Sequence, residues 1–152
     1  MMVNLDLKLT CAIARSTHLL GDKWSLLILR DMLLHKKSRF KEFMESKEKI
    51  ATNILTNRIK SLIDADLIVL LDKNSTKKSR QYIATQKGIS TLPIILELYM
   101  FSIKDINESV LNDQQIQIKK QIISNSENFI NSKRIDYMAF KEDLLSKVIE
   151  HK

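Results

Sequence analysis

Small polar side chains recur at helical spacing between residues 52 and 65. If this segment is a helix, its apolar side chains share one face that points to a core: Leu55, Ile59, Leu62 and Ile63. The opposite face carries amides, a hydroxyl and one cation: Asn53, Thr56, Asn57 and Lys60. Thr52, at the start of the segment, is a further candidate DNA contact. Amides can pair with adenine edges and threonine methyl groups can touch thymine, so this face suits the major groove of duplex DNA. An ordinary polar face of an amphipathic helix has the same pattern.

Positive charge is concentrated around this helix. Residues 36–80 hold twelve Lys and Arg against six Asp and Glu, whereas the rest of the 152-residue chain is close to neutral. Such a concentration is expected of a module that binds a polyanion, and equally of a solvated basic surface. Seven side chains before, beside and after the helix are candidate phosphate contacts: Ser38, Arg39, Lys41, Arg58, Lys77, Lys78 and Arg80.

The composition argues against several other classes of protein. One cysteine excludes an internal disulfide and a multi-cysteine zinc site, and the three histidines have no metal-ligand spacing. Gly21 and Gly88 are the only glycines, too few for a glycine-rich phosphate loop. We therefore expect no enzyme activity, no metal and no cofactor. The absence of a signal peptide and of a long apolar run predicts a soluble cytoplasmic protein.

The candidate residues need a scaffold that brings them to one surface. The apolar pattern predicts this element order: helices over 12–20, 24–34, 39–45 and 52–65, then strands over 67–71 and 80–85. Gly21 is placed to end the first helix and Asp22 to cap the second. Three helices followed by a β-hairpin around a Lys-rich loop are typical of a winged helix-turn-helix.

Further helices are predicted beyond the hairpin. One covers 86–106, with Pro93 marking a kink or a restart. Two amphipathic segments, 113–131 and 134–150, are separated by a polar link at 131–133. The predicted fold is mainly α with a small β-hairpin wing, extended by C-terminal helices. It divides into a DNA-binding and dimerisation domain at 1–106 and a helical extension at 107–152.

Several segments together resemble a known family. They are 21–31 (GDKWSLLILRD), 39–43 (RFKEF), 50–59 (IATNILTNRI), Leu62, 67–68, 82–83, 85–88 and 92–93, and Cys11 stands about ten residues before the first of them. In spacing and residue type they resemble the HxlR-type winged-helix transcriptional regulators of bacteria. The resemblance covers about 11–106 and carries no information on the extension.

The resemblance implies a homodimer that binds a site of inverted-repeat character. Its interface would lie on the first helix and the helix after the wing, which places these residues there: Ile13, Leu19, Leu20, Ile95, Leu98 and Phe101. The chain departs from the family at Lys49 and Asp66, where glycine is common, and at Phe101, where tryptophan is common. The first two departures could alter turn geometry.

Cys11 is the one candidate for a chemical signal. Some members of the family use the matching cysteine to sense oxidants or electrophiles, and Arg15 lies one helical turn away. The alternative is a small buried hydrophobic residue at the start of a helix.

The C-terminal extension, 107–152, is too apolar to be a disordered tail. Its apolar residues are grouped together: Phe129, Ile130, Ile135, Tyr137, Met138 and Phe140. We expect it to form a helical hairpin that packs against the dimer seam.

These observations predict a sequence-specific DNA-binding transcription regulator that acts as a homodimer on an inverted-repeat operator. Its signal would be a thiol-reactive compound or another small molecule. The main alternative is a winged-helix module that binds a protein partner without reading DNA sequence. An enzyme with Cys11 as nucleophile is disfavoured because no histidine is predicted beside it.

Overall fold

The computed structural model describes residues 10–150. Its elements in chain order are α1 (Ala12–Leu20), α2 (Lys23–His35), α3 (Phe40–Met44), α4 (Thr52–Asp64), β1 (Ile68–Leu70), β2 (Tyr82–Ala84), α5 (Gln86–Ile89), α6 (Leu92–Ile103), a turn of 3₁₀ helix (Glu108–Val110), α7 (Asp113–Ser124) and α8 (Ser126–Glu150). The winged helix-turn-helix order is thereby confirmed as far as β2. The N-terminal stretch on which the signal-peptide prediction depends lies outside the described residues.

The junction between α1 and α2 is fixed by two adjacent residues. A Cβ at Gly21 would lie 2.3 Å from the carbonyl oxygen of Thr17, which instead accepts the Gly21 N–H at 2.7 Å. Asp22 caps α2, since its carboxylate accepts the Ser25 N–H at 2.9 Å. Both residues have the roles that the sequence predicts.

The core surrounds α2 and α4. Leu29 and Met32 of α2, Leu55 of α4 and Ile68 of β1 are all inaccessible to solvent. Ile63 was expected on the same buried face of α4 but is 39 % exposed. Because it lies about 80° round the helix from Leu55, it falls at the edge of the buried stripe.

The two strands form an antiparallel hairpin in which Ile68 lies opposite Ala84 and Leu70 opposite Tyr82. Residues 71–81, which connect the strands, form the wing. The other edge of β2 is held by the segment before α3, because the Tyr82 N–H donates to the Ser38 carbonyl oxygen at 2.8 Å. The start of α3 and the base of the wing are therefore joined through the backbone.

Pro93 marks a restart rather than a kink. α5 is a single turn capped by Thr85, whose hydroxyl accepts the Gly88 N–H at 3.1 Å. α6 then begins at Leu92, so Pro93 stands in its first turn, where a missing N–H costs nothing.

The prediction for the extension is wrong about its break. The polar link expected at 131–133 is helical, and the chain bends instead at Asn125, whose φ of −161° and ψ of 88° are not helical. Asn125 also caps α8, since its side-chain oxygen accepts the Asn128 N–H at 3.0 Å.

The continuous helix α8 packs on α2, α6 and α7. Its Tyr137 is 1 % exposed and belongs to the same core as Leu29. The expected helical hairpin exists, but α8 joins the core of the single chain.

Candidate nucleic-acid interface

The outer face of α4 presents the predicted polar side chains to solvent. Thr52, Asn53, Thr56, Asn57 and Lys60 are all exposed. The Thr56 hydroxyl donates to the Thr52 carbonyl oxygen at 3.0 Å, which fixes the Thr56 side chain on the helix surface. Leu55 and Ile59 are buried on the opposite face and hold the helix to the core. The arrangement leaves amides, a methyl group and an ammonium group available to the edges of base pairs.

A buried carboxylate anchors the connection between α3 and α4. Asp31 is 3 % exposed, and its oxygens accept from the Ser46 hydroxyl, from Lys37 Nζ at 3.3 Å and from the Arg30 guanidinium at 2.8 Å. Arg30 also binds Glu48, with Nη1 2.5 Å from Oε1. Asp31 is therefore a buried residue with charged and polar partners rather than a surface residue. Ser46, which binds Asp31, and Glu48, which binds Arg30, lie in the loop before α4, so the cluster helps to set the position of that helix.

The charges in this cluster perturb one another. Burial lowers the pKa of Arg30, but hydrogen bonds to Glu48 and Asp31 raise it by more, so its net pKa is raised. The hydrogen bond from Arg30 lowers the pKa of Glu48. Burial lowers the pKa of the nearby His35. All three shifts favour a neutral histidine beside a charged Arg–Glu pair at neutral pH.

The turns on both sides of α4 contain residues in the left-handed region. Lys49 has φ of 56° and Asp66 has φ of 60°. These are the two positions, noted above, where this sequence has another residue in place of the glycine that is common in the family. Because both turns keep the glycine-like backbone, each side chain bears the strain of a conformation that glycine adopts freely.

The wing brings cations beside α4. Lys77 and Lys78 are exposed, whereas Arg80 is half-buried. Together with Thr56, Lys77 and Arg80 line a hollow of about 280 Å³ between the helix and the wing. Within the described residues the Nε of Arg80 is buried and has no hydrogen-bond partner. An unpartnered guanidinium donor next to a polar helix face is suited to an incoming anion.

The other predicted phosphate contacts divide into two groups. Arg39 and Lys41 at the start of α3 are exposed, as a surface contact requires. Ser38 is 4 % exposed and donates its hydroxyl to Gln81 Oε1 at 2.8 Å, so it positions the wing rather than facing solvent. Arg58 lies 3.8 Å from Asp22, a loose ion pair on the flank of α4.

Comparison with known proteins identifies the domain that carries this surface. The HxlR-like helix-turn-helix family matches residues 19–110, more than half of the chain. The chain belongs to this family. The matched range includes α4 and the wing and ends before α7, so the resemblance inferred from sequence is confirmed. Residues 111–152 of the extension lie outside the match.

Three solved structures are similar to parts of this chain. PA1607, a candidate transcription factor, has a TM-score of 0.60 and 28 % identity, covering 69 % of this chain and 72 % of that chain. PA1374, a candidate transcription factor from Pseudomonas aeruginosa, has 33 % identity over 68 % of this chain and 66 % of that chain, with a TM-score of 0.45. Staphylococcus aureus MarR with salicylate and kanamycin has 19 % identity over 79 % and 86 %, with a TM-score of 0.46. No curated protein matches the chain.

Family membership and the PA1607 likeness make this HxlR-like protein a transcription regulator of the helix-turn-helix type. Between residues 10 and 150, no group of histidine, cysteine or acidic side chains is arranged to hold a metal ion. In the same range, every helix is too short or too polar to cross a membrane.

The predicted interface residues of this HxlR-like chain are only partly at the surface. Ile13 on α1 and Phe101 on α6 are 76 % and 77 % exposed, and Leu98 is also exposed. Leu20 and Ile95 instead lie in the core of the single chain, and Leu19 is half-buried. The outward apolar set therefore consists mainly of Ile13, Leu98 and Phe101.

Cys11 lies at the surface, directly before α1. The Arg15 N–H donates to the Cys11 carbonyl oxygen at 3.0 Å, which confirms that Arg15 follows one turn later. The alternative of a buried hydrophobic residue at this position is therefore wrong.

Proposed function

We propose that this protein binds duplex DNA in a sequence-specific manner, with α4 in the major groove and the wing on the adjacent phosphate backbone. One observation carries the proposal: Thr56 of α4 and Arg80 of the wing line the same hollow. Base-reading and phosphate-binding groups thus lie side by side on one face. Phosphate contacts set the register, and base contacts supply the specificity.

Arg80 is the residue that best links the two elements. Its buried Nε has no partner within the described residues. A phosphate at the mouth of the hollow would pair with the half-buried guanidinium of Arg80, with Lys77 at the same site. Lys78, Arg39 and Lys41 are exposed and extend the positive surface on either side.

The regulator acts as a homodimer in this proposal, on an inverted-repeat operator. A two-fold protein places one reading helix in each half-site, so the symmetry of the operator follows from that of the protein. Ile13, Leu98 and Phe101 supply exposed apolar surface on α1 and α6, where family resemblance places the interface. A regulator of bacterial genes works in the cytoplasm, where the chromosome lies.

Cys11 is the proposed site of signal input. Its thiol is accessible and stands at the start of α1, on the helix that also carries Ile13. Modification of the thiol by an oxidant or electrophile would add a group beside the proposed interface. A small molecule bound elsewhere is the other candidate signal.

Selection of bound sequences from randomised duplex DNA tests the function directly. We expect a palindromic motif, which would establish base reading and dimer symmetry together. An Asn57→Ala variant should select a motif that is relaxed at one or two positions, whereas a Lys120→Ala control on α7 should select the parent motif. Recovery of unrelated sequences, with binding that does not weaken as salt rises, would favour a protein-binding module instead.

A further inference from the structure

The C-terminal helix runs beside the wing, although it lies outside the family match. Tyr137 and Lys141 of α8 reach β2 at the base of the wing. Farther along, Leu144, Lys147 and Val148 line a groove with wing residues Leu71 to Gln81. A helix rises 1.5 Å per residue, so α8 follows the wing for roughly 16 Å between residues 137 and 148.

The contacts at the base of the wing are made to the backbone. Ala84 and Ile68 are paired across the sheet, but Ala84 donates and accepts on the side away from β1. Its N–H donates to Tyr137 Oη at 2.7 Å, and its carbonyl oxygen accepts from Lys141 Nζ at 2.8 Å. Buried backbone groups need partners, and here the extension supplies both.

We propose that α8 holds the wing in its DNA-binding position, with Tyr137 and Lys141 as positioning residues. The proposal rests on the proposed function, because it concerns the same surface. A two-stranded hairpin is marginally stable by itself. β2 is held on its outer edge by Ser38 at Tyr82 and by α8 at Ala84. Removal of the second support leaves the outer edge of β2 with the Ser38 contact, in addition to its pairing with β1 and its burial in the core.

The polar atoms of Tyr137 and Lys141 distinguish a positioning role from simple packing in the core. A helix that only filled space would need the ring of Tyr137 and the aliphatic stem of Lys141, but not the hydroxyl or the ammonium group. The variants Tyr137→Phe and Lys141→Met keep the ring and the stem and remove only the polar atoms. Lys120→Met makes the same change as Lys141→Met at an exposed position of α7 and serves as the matched control.

The test measures how binding of random-sequence duplex DNA depends on salt. The plot of log Kobs against log salt has a negative slope, and each phosphate that the protein no longer neutralises reduces the absolute value of that slope by about 0.9. We expect Tyr137→Phe and Lys141→Met to reduce the slope by about 0.9 or more and to weaken binding roughly tenfold at low salt. A reduced folded fraction would weaken binding by the same factor at all salt concentrations and leave the slope unchanged.

A second background shows whether the effect passes through the wing. In a chain with Lys77→Ala, Lys78→Ala and Arg80→Ala, the α8 changes should have no further effect on the slope. If the α8 and wing substitutions have additive effects on the slope, the proposal is overturned. It is also overturned if Lys120→Met changes the slope as much as Lys141→Met does.

Amide hydrogen exchange gives a readout that does not require DNA. We expect faster exchange at residues 73–80 in Tyr137→Phe and Lys141→Met than in the wild type and in Lys120→Met. Unchanged exchange would overturn the proposal even if the wild type binds DNA normally. If the wild type shows no salt-dependent DNA binding, the proposed function is overturned instead. Hydrogen exchange would then still show whether α8 holds the wing in place.

Discussion

The helix α4 and the wing are attached to the molecule in different ways. α4 is held by apolar side chains, of which Leu55 is inaccessible to solvent. The strands at the base of the wing are also largely buried, but the outer edge of β2 is held by hydrogen bonds to two other parts of the chain, Ser38 and α8. Apolar packing is stronger and less directional than a few hydrogen bonds, so substitutions at the Leu55 contact and at these hydrogen bonds should affect stability and its pH dependence differently.

The largest effect is expected where α4 meets the core. Leu55→Ala should lower the free energy of unfolding by about 2–5 kcal/mol, because it leaves a cavity under the helix. Urea denaturation measures the loss. Ile63→Ala on the same helix, at a position 39 % exposed, is the control and should cost far less. Equal losses would mean that α4 is not held through its Leu55 face.

The wing base should show a smaller loss with a distinctive pH dependence. Tyr137→Phe leaves the buried Ala84 N–H without its partner and should cost about 1–3 kcal/mol at neutral pH.

Burial raises the pKa of Tyr137 from 10 to about 12, against the effect of the Ala84 hydrogen bond. The unfolded chain therefore loses the phenolic proton first. The stability from this group is present below pH 10 and is lost as pH rises through about 12.

The slope of this loss is at most about 1.4 kcal/mol per pH unit. Urea denaturation of wild type and Tyr137→Phe across this window should give curves that converge as pH rises. Curves that stay parallel would show that the phenol does not titrate as its burial requires.

DNA binding distinguishes the two elements by specificity rather than stability. Asn57→Ala on α4 should cost about 1–3 kcal/mol on the preferred sequence and little on random DNA, because base contacts discriminate. Lys77→Ala on the wing should weaken both alike and lower the salt slope. Fluorescence anisotropy on the two duplexes separates the cases, and a Lys77→Ala variant that alters sequence preference would show that the wing also reads bases.

The smallest effects are expected in the turns that bracket α4. Lys49→Gly and Asp66→Gly should each stabilise the protein by up to about 1 kcal/mol, since relief of left-handed strain exceeds the added flexibility of the unfolded chain. Lys120→Gly inside α7 is the control of opposite sign, with an expected loss of about 1 kcal/mol. Thermal unfolding would reveal both, and destabilisation by the turn glycines would mean that the side chains make contacts worth more than the strain.

The elements around α4 could be predicted because their signals are local. Helical periodicity placed Leu55 and Asn57 on opposite faces, and Asp22 carries its capping role in its residue type and position. The bend at Asn125 was missed because a polar tripeptide at 131–133 gave a stronger compositional signal than one capping asparagine. The helix continues through 131–133 because Phe129 and Tyr137, on either side of this segment, both pack inward. Local composition does not reveal that packing.

Contacts between distant parts of the chain could not be predicted. Asp31 has no apolar or helical signal of burial, and its partner Ser46 is 15 residues away. Lys141 and Ala84 are separated by 57 residues. Their pairing depends on how α8 crosses α2, which periodicity does not specify. The buried hydroxyl of Ser38 has the same cause, because its partner Gln81 lies 43 residues away at the end of the wing.

The separation between Ala84 and its partners also sets an order of events during synthesis. Residues 19–110, the range that matches the family, are synthesised before Tyr137 and Lys141 are translated. During this interval the outer edge of β2 has an unpaired N–H and carbonyl at Ala84. An open strand edge is a template for pairing with another chain. Nascent chains stalled before residue 137 should therefore aggregate more readily than chains that include α8. The helix α8 would then protect β2 from pairing with other chains only once its own synthesis is complete.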